Sequence, residues 1–276
     1  MALSRLIVTA DDFGISNKVN RAILESMESG LVTSTSMMAN MPGFDDAVRI
    51  VREHTLLNGR IGVHLNLTEG HPLSRLILDC PSFCNDNGRF IYDRQRSVFH
   101  LSRQEKHAVY EEMKTQLERV IDAGIHPTHL DSHHHFHTEW AIAPLVCRLG
   151  REYGITRIRL TRNMGPLPSL PKRIYKFIFN RWRLGGGIGF RWRPGGGSWF
   201  GWRPGGESRF HNTDLFGSIE DMNVFARNRD LNGRSVEIMV HPLYNEESEL
   251  VDIDQQNLYQ RLWSLLEKQP ALSFTR

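Results

Sequence analysis

The sequence predicts an α/β fold in which helices cover a parallel sheet, and three observations support it. Short apolar strands alternate with helical patterns along the chain, as in repeated βα units. The polar residues of greatest interest follow these strands, and parallel α/β folds place their chemistry at the carboxyl ends of strands. The 276 residues are enough for one full hydrophobic core. Closure of such a sheet into a barrel is one of its two usual outcomes.

The first βα unit is the clearest of the predicted elements. Residues 6–10 are a short apolar run, as expected of a strand that is buried on both faces. Residues 17–28 then have apolar side chains at helical spacing and stop before Gly30. Further strands are predicted at residues 32–38, 60–65, 127–131, 156–160 and 236–240. Further helices are predicted at residues 44–53, 103–123, 139–153, 172–180 and 254–268.

Composition limits the class of protein. Hydrophobic residues make up 40% of the chain and charged residues 24%, which is ordinary for a globular protein in water. No apolar run approaches the roughly 18 residues of a membrane span, and the first residues lack the pattern of a signal peptide. We therefore expect a cytoplasmic protein without a membrane segment.

Cys80, Cys84 and Cys147 lack zinc-ribbon spacing, which favours reduced thiols over a disulfide or metal site.

The net charge of +3 conceals one strongly basic segment. Residues 157–210 contain twelve Lys or Arg side chains and a single acid, Glu207, whereas the rest of the chain is acidic. Within this segment, Trp182, Trp192 and Trp202 recur every ten residues beside Gly-Gly pairs. Three units of this length cannot form a solenoid, and paired glycines favour turns. We interpret residues 181–207 as a low-complexity loop insertion in a single domain spanning residues 1–276.

Three functions are compatible with this insertion. In the first, it is a surface loop without a ligand of its own. In the second, its Trp side chains stack on sugar rings beside the catalytic mouth. In the third, the Trp and Arg side chains contact nucleic acid or a membrane surface.

Two polar clusters and one isolated histidine predict a metal site. Asp11 and Asp12 follow the strand at residues 6–10, and residues 129–137 read His-Leu-Asp-Ser-His-His-His-Phe-His. His64 interrupts the apolar strand at residues 60–65. One Asp with two His leaves coordination positions open for water and substrate, which is the pattern of a catalytic site and not of a closed structural one.

Strand alternation indicates which residues of the histidine cluster meet this site. Successive side chains of a strand point to opposite faces, so His129, Asp131 and His133 are expected on one face and His134 on the other. One or two of the imidazoles can then reach Asp12 and His64. Asp131 or His135 can orient the metal ligands through hydrogen bonds.

Each of these residues has a structural alternative when taken alone. His64 could be a hydrogen-bonded core histidine, and Asp11 with Asp12 could cap the helix that follows. The histidine cluster is harder to explain structurally, because adjacent imidazoles repel one another when protonated and add little to packing.

Four ordered motifs resemble the YdjC family of carbohydrate deacetylases, which includes chitooligosaccharide deacetylases. The motifs are Thr-Ala-Asp-Asp-Phe-Gly at 9–14, Val-Thr-Ser-Thr-Ser at 32–36, Gly-Val-His-Leu-Asn-Leu-Thr at 62–68 and Pro-Thr-His-Leu-Asp-Ser-His-His-His at 127–135. The resemblance covers most of residues 5–160 and the stretch at 239–242. It implies a distorted TIM-like (β/α) barrel that removes the acetyl group of an N-acetylated sugar, usually with Mg²⁺, although Zn²⁺ or another divalent ion also fits. By the same resemblance, Asp12, His64 and His133 would bind the metal and Asp11 would be the catalytic base.

The expected reaction also needs a general acid, because an amine leaves poorly until it is protonated. We assign this role to His241, at the end of the strand at residues 236–240; the alternative is a structural histidine held by Pro242. The family tends to carry a glycine after this His-Pro pair, whereas Leu243 follows here. Arg159 either pairs with Asp11 or Asp131 and keeps the carboxylate ionised, or is a surface arginine.

These observations together predict a metal-dependent hydrolase that deacetylates N-acetylated amino sugars or chitooligosaccharides. The alternatives are another mononuclear amide or phosphoester hydrolase, and a non-catalytic protein that binds carbohydrate or nucleic acid and holds a structural ion. A phosphoesterase would more often show two metals and more carboxylate ligands. A structural ion has no use for the additional carboxylate of Asp11.

We expect a sugar substrate and neither nucleic acid nor a membrane as partner. A homodimer is common among barrel enzymes, although no residue here requires one.

Overall fold

A parallel sheet with flanking helices forms the centre of the computed structural model, which describes residues 4–91, 100–165, 170–180, 210–228, 231, 233–270 and 272–274. The strands are β1 (Ser4–Phe13), β2 (Ser34–Met37), β3 (Ile61–Leu65), β4 (Leu130–Ser132), β5 (Leu215–Gly217), β6 (Val236–Val240), β7 (Leu243–Tyr244), β8 (Leu250–Val251) and β9 (Leu272–Phe274). The α-helices are α1 (Asn17–Glu28), α2 (Phe44–Glu53), α3 (Arg103–Asp122), α4 (Ala143–Glu152), α5 (Leu170–Ile178), α6 (Ile219–Asn228) and α7 (Leu258–Lys268). Short 3₁₀ turns lie at Thr55–Leu57 and His133–Thr138.

The strand order is β4-β3-β2-β1-β6-β5, all neighbours are parallel, and β9 adds to the start of β1. Residues 156–163 connect the two ends of this sheet without forming a regular ladder. The amide of Arg159 donates to the carbonyl of Leu130 in β4 at 3.0 Å, and the amide of Asn163 donates to the carbonyl of Phe216 in β5 at 3.0 Å. The predicted α/β fold, a distorted TIM-like barrel, is therefore confirmed, and the distortion lies on this side.

The central strand β1 shows why the barrel interior is polar near the site. Leu6, Val8 and Ala10 are buried and alternate with Thr9 and Asp11, so the two polar side chains share the opposite face. The register pairs β1 with β6 over five consecutive residues, which makes this pair the most regular part of the sheet. A polar face on such a strand places charged groups inside the barrel.

The predicted elements differ from the observed ones mainly where strands are short. The strand predicted at residues 156–160 forms only one bridge, between Leu130 and Ile158. The helices predicted at 139–153 and 254–268 begin later, at Ala143 and Leu258. The sequence did not predict β5, α6, β7, β8 or β9; the four strands among them have only two or three residues, too few to show periodicity.

Several other expectations concern composition. The three cysteines are buried and are not joined by a disulfide, and burial raises the pKa of Cys84 to about 11. No helix in the described part of the chain has both the length and the apolarity that a membrane crossing needs. The insertion predicted at about 181–207 lies outside the described residues.

Candidate metal centre

An irregular end of β1 gives the adjacent residues Asp11 and Asp12 different surroundings. The register between β1 and β2 shifts between Ala10 and Phe13, and Asp12 has a φ of 69°. This left-handed conformation is uncommon for a residue with a side chain. It leaves the side chain of Asp12 14% exposed at the mouth of the barrel, whereas that of Asp11 is 1% exposed. One carboxylate thus faces the mouth and the other lies buried beside it.

Asp12, His64 and His133 converge at this mouth. Oδ1 of Asp12 lies 2.8 Å from Nδ1 of His133 and 3.3 Å from Nε2 of His64, and the three ligand atoms lie within 4.8 Å of one another. Oδ1 of Asp12 is buried, yet neither contact has the geometry of a hydrogen bond. One carboxylate oxygen and two imidazole nitrogens are the donors of a mononuclear catalytic metal site. The residues present therefore fit a divalent ion.

The electrostatics of the three groups agree with this reading. Burial alone would raise the pKa of Asp12, but the imidazoles of His133 and His64 hold it well below its usual value. Burial alone would lower the pKa of His64, but attraction to Asp131 and Asp11 outweighs it and raises the pKa to about 10. Without an ion, a protonated His64 supplies positive charge among these carboxylates.

Each of the two histidines is oriented by a carboxylate on its other nitrogen. Nδ1 of His64 lies 2.8 Å from Oδ1 of the buried Asp131 and 3.0 Å from the hydroxyl of Ser36. Nε2 of His133 lies 3.0 Å from Oε2 of Glu69. Such pairs fix the ring plane and the tautomer, and leave the remaining nitrogen to face a metal.

Side chains of α3 hold the loop that carries Glu69 in place. The side chain of Asn66 accepts hydrogen bonds from the amides of Thr68 and Glu69, both at 3.0 Å. Gln116 of α3 bonds both the amide and the carbonyl of Asn66, at 2.8 and 2.6 Å, and also donates to Glu112. Both Gln116 and Glu112 are fully buried. A buried polar network of this kind holds a loop in one conformation.

The chain turns immediately after β4, so the prediction from strand alternation that His134 lies on the face opposite His133 is wrong, and the two rings lie 3.8 Å apart. His134 and His135 both have a φ of 53°, and the hydroxyl of Ser132 accepts from the amide of His137 at 3.0 Å to close the turn. His134 is exposed, with its Nδ1 3.0 Å from the hydroxyl of Thr68. The ring of His135 lies 5.9 Å from that of Phe216, and its buried Nδ1 has no hydrogen-bond partner among the described residues. Burial lowers the pKa of His135 to about 4, so the ring is neutral at ordinary pH.

His129 lies on the same face as Asp131, as strand alternation predicts, but one layer deeper. Its ring occupies the space above Gly62, where an added Cβ would approach within 2.4 Å. Nδ1 of His129 accepts from Arg157 at 2.9 Å. Because the ring is fully buried and held there, it does not reach the metal ligands.

Arg159 is the buried cation of the site. Nη1 and Nη2 donate to the two oxygens of Asp11 at 2.6 and 2.7 Å, and Nη2 also lies 2.8 Å from Oδ2 of Asp131. Nε donates to Oε1 of Glu237 at 2.9 Å. Burial alone would raise the pKa of Asp11, but Arg159 and neighbouring histidines lower it to about 2. The structure thus brings Arg159 to both carboxylates that the sequence suggested as partners, and to a third.

His241 lies at the end of β6, on the other side of β1 from β3 and β4. Its Nε2 is 3.8 Å from Oδ2 of Asp11, and its side chain is 25% exposed. Oδ1 of Asp252 accepts from the backbone amide of His241 at 2.7 Å and lies 4.0 Å from Nδ1. Leu243, which stands where the family tends to have a glycine, begins β7 and pairs with Val251 of β8. The turn after His241 is therefore held by a small hairpin and by Asp252.

The sequence-based list of site residues omitted three carboxylates that contact it. Glu69 and Glu237 contact the side chains of His133 and Arg159, and Asp252 accepts from the backbone amide of His241. Glu237 left a signal, because a charged residue interrupts the otherwise apolar strand at residues 236–240. Glu69 and Asp252 lie in loops, where no periodicity marks them.

Comparison with known proteins gives a consistent picture. A family model described as YdjC-like protein matches residues 5–267. A carbohydrate deacetylase of Brevibacillus brevis is 43% identical over 151 residues, which cover 55% of this chain and 57% of that protein. A carbohydrate deacetylase of Geobacillus stearothermophilus is 41% identical over 166 residues, which cover 59% and 63%. The matches thus span about three fifths of the length of these curated relatives.

One solved structure shares the fold over the whole chain. It is the crystal structure of a protein from Enterococcus faecalis V583 whose name refers to cellobiose-phosphate cleavage. The two structures superpose with a TM-score of 0.65 at 21% identity, covering 100% of this chain and 98% of that one.

We expect the purified protein to bind a divalent ion through Asp12, His64 and His133. Replacing His133→Gln should weaken binding of Mg²⁺ or Zn²⁺ by more than the roughly 10–100-fold typical of residues that only orient a ligand. Isothermal titration calorimetry measures this affinity. His107→Gln, the same change at an exposed position of α3, is the control and should bind as the unaltered protein does. Equal affinity in the His133→Gln variant would rule out His133 as a ligand.

The affinity for the ion should also increase with pH. The raised pKa of His64, about 10, means that the free protein holds a proton on this ring, whereas a ligating imidazole must be neutral. Binding therefore releases a proton, and the affinity should rise about tenfold per pH unit below the pKa of His64. Titrations in buffers of different ionisation enthalpy count the protons released. A proton count of zero at neutral pH would show that His64 is already neutral in the free protein.

Proposed function

The chain belongs to the YdjC-like protein family, and we propose that it is a metal-dependent hydrolase that removes the acetyl group from N-acetylated amino sugars or chitooligosaccharides. The observation that carries this proposal is the convergence of Asp12, His64 and His133 beside a second, ionised carboxylate, Asp11. The names of the curated relatives support a carbohydrate substrate. A structural ion would not need the second carboxylate.

Asp12, His64 and His133 would hold the ion, which we propose to be Mg²⁺, with Zn²⁺ as the alternative that two imidazole donors also suit. When bound, such an ion polarises a carbonyl group and lowers the pKa of water. Asp131 and Glu69 keep the two imidazoles turned toward Asp12. These two carboxylates therefore determine the geometry of the site without touching the substrate.

Asp11 is the proposed general base. Its carboxylate is ionised, since Arg159 holds the pKa at about 2, and it lies within 4.8 Å of a ring nitrogen of His64 and a carboxylate oxygen of Asp131. It can accept a proton from a water molecule that attacks the amide carbon, while the two hydrogen bonds from Arg159 keep its orientation. The charge on Arg159 also keeps Asp11 ionised at neutral pH.

His241 is the proposed general acid. It approaches Asp11 from β6, whereas His64 and His133 approach from β3 and β4, so it lies on the opposite side of the reacting centre. Protonation of the amide nitrogen by His241 lets the amine leave as acetate forms. Asp252 fixes the backbone of His241, and the partly exposed ring can reach a substrate in the mouth.

Other parts of the proposal concern the substrate and its setting. We propose that the neutral ring of His135, with its unpartnered Nδ1, hydrogen-bonds a sugar in the mouth. Arg159 contributes by fixing the orientation of Asp11. The single-domain organisation of residues 1–276, with an insertion at about 181–207, and a cytoplasmic location belong to the same proposal.

The direct test is acetate release from N,N′-diacetylchitobiose by the purified protein. We expect release by the protein as purified, loss of release after chelation, and recovery when Mg²⁺ or Zn²⁺ is restored. A deacetylated product identified by mass spectrometry would establish which acetyl group is removed. The absence of release with every metal tested, on this and on longer chitooligosaccharides, would contradict the proposal.

The assigned base and acid can be tested separately from metal binding. Asp11→Asn and His241→Gln should each lower kcat by about 10²–10⁴-fold, the usual contribution of general acid–base catalysis, while the affinity for the ion falls by less than in His133→Gln. Asp45→Asn, on the exposed surface of α2, is the control for the loss of a carboxylate. A fully active Asp11→Asn variant would remove Asp11 as the base.

A further inference from the structure

Glu237 is a buried carboxylate that the proposed reaction does not use. It lies in β6, is 1% exposed, and its Oε1 accepts two hydrogen bonds. One comes from Nε of Arg159 at 2.9 Å and the other from the hydroxyl of Thr9 at 3.2 Å. Burial of a carboxylate is costly unless it is paired and hydrogen-bonded. Its presence inside the barrel therefore needs a reason.

Charge neutralisation is not that reason. Arg159 already faces two buried carboxylates, Asp11 and Asp131, so a third negative group adds to an excess of negative charge. What Glu237 adds is a contact on the remaining edge of the guanidinium. Nη1 and Nη2 are engaged by Asp11, Nε is engaged by Glu237, and the ring of Phe216 lies 4.9 Å from the guanidinium carbon. A planar group held on two edges and one face has one orientation.

The backbone explains why this additional contact is needed. Arg159 comes from residues 156–163, the irregular side of the barrel, where a single bridge replaces a ladder. Glu237 comes from β6, which pairs with β1 over five consecutive residues, and Ile7 of β1 is its register partner. A side chain on an irregular segment is thus tied to the most regular pair of strands in the sheet.

The same strand also carries the proposed acid. His241 follows Glu237 by four residues, so the two lie on one face of β6, while Thr9 and Asp11 lie on the adjacent face of β1. Contacts from Glu237 to Arg159, and from Arg159 to Asp11, therefore fix the carboxylate of Asp11 relative to His241.

We propose that Glu237 is a positioning residue that sets the orientation of Arg159 and, through it, of the Asp11 carboxylate. Its effect on catalysis rests on the proposed function, whereas its effect on the geometry of Arg159 does not. It acts by accepting the hydrogen bond from Nε, and its negative charge is secondary.

Two variants separate the hydrogen bond from the charge. Glu237→Gln keeps an acceptor oxygen for Nε and Thr9 but removes the charge, and Glu237→Leu removes the acceptor at similar volume. In Glu237→Leu we expect kcat to fall about 10–100-fold, as for other partners that orient a reacting group, with KM within about threefold and the metal affinity reduced by less than in His133→Gln. Glu237→Gln should recover most of the lost kcat. Glu246→Leu, at an exposed position of the β7–β8 turn, is the matched control.

Crystal structures of both variants supply a readout that is independent of activity. In Glu237→Leu, the paired hydrogen bonds between Arg159 and Asp11 should be displaced, while Asp12, His64 and His133 stay in place; in Glu237→Gln, both should be retained. An unchanged Arg159 together with an unchanged kcat in Glu237→Leu would overturn the proposal. Equal loss of kcat in both variants would also overturn it, because the charge and not the hydrogen bond would then matter.

A third variant covers the case in which Glu237→Leu does not fold. Thr9→Val leaves every charge in place and removes only the second hydrogen bond to Oε1 of Glu237. It should lower kcat roughly two- to tenfold and allow Arg159 to shift; an unchanged kcat with an unshifted Arg159 would count against the proposal. If the unaltered protein releases no acetate with any metal, the proposed function fails, and the crystal structures still decide whether Glu237 positions Arg159.

Discussion

One buried guanidinium connects three strands of this barrel. Arg159 contacts Asp11 of β1, Asp131 of β4 and Glu237 of β6, and all four side chains are nearly inaccessible to water. The strands β1 and β6 are neighbours, but β4 lies at the far edge of the sheet, and residues 156–163, which lie between β4 and β5, form no regular ladder. The ion pairs therefore join the parts of the barrel that hydrogen-bonded ladders join least. Removal of the cation would leave three buried carboxylates without the charge that they share, which is far more costly than the presence of the complete cluster.

This cluster also separates the functions of two neighbouring aspartates. Asp11 and Asp12 are adjacent in sequence and would point to opposite faces of a regular strand. The register shift and the left-handed backbone at Asp12 end that alternation, so both carboxylates lie beside His64. Arg159 engages both oxygens of Asp11, whereas Oδ1 of Asp12 meets two imidazoles without hydrogen-bond geometry. The backbone strain at Asp12 is thus connected to a difference in chemistry between a fixed, ionised carboxylate and one available to a cation.

The sequence predicted the parts of the site that follow from local pattern and from family resemblance. The βα alternation gave the strands, and the polar residues at their carboxyl ends gave the groups that the fold brings together, because parallel strands end at one edge. Prediction failed where contacts join distant residues. Glu237 meets Thr9 across 228 positions in the chain, and no periodicity in either strand indicates that pairing. The turn after β4 could not be predicted from the sequence either. A positive φ at His134 and His135 is unusual for histidine, and the turn is closed by the hydrogen bond from the amide of His137 to Ser132.

The charges around the mouth explain why a divalent ion suits this site. Four carboxylates, those of Asp11, Asp12, Asp131 and Glu237, contact Arg159 or His64, and Arg159 is the only cation among them that does not depend on protonation, within the part of the chain described. A protonated His64 offsets one further charge, and its raised pKa reflects that demand. An ion of charge two that displaces this proton leaves the cluster closer to neutral than the proton does. A monovalent ion would gain nothing by the same exchange, and burial of excess charge is costly. The carboxylates that surround Arg159 and His64 thus also favour the binding of a divalent ion.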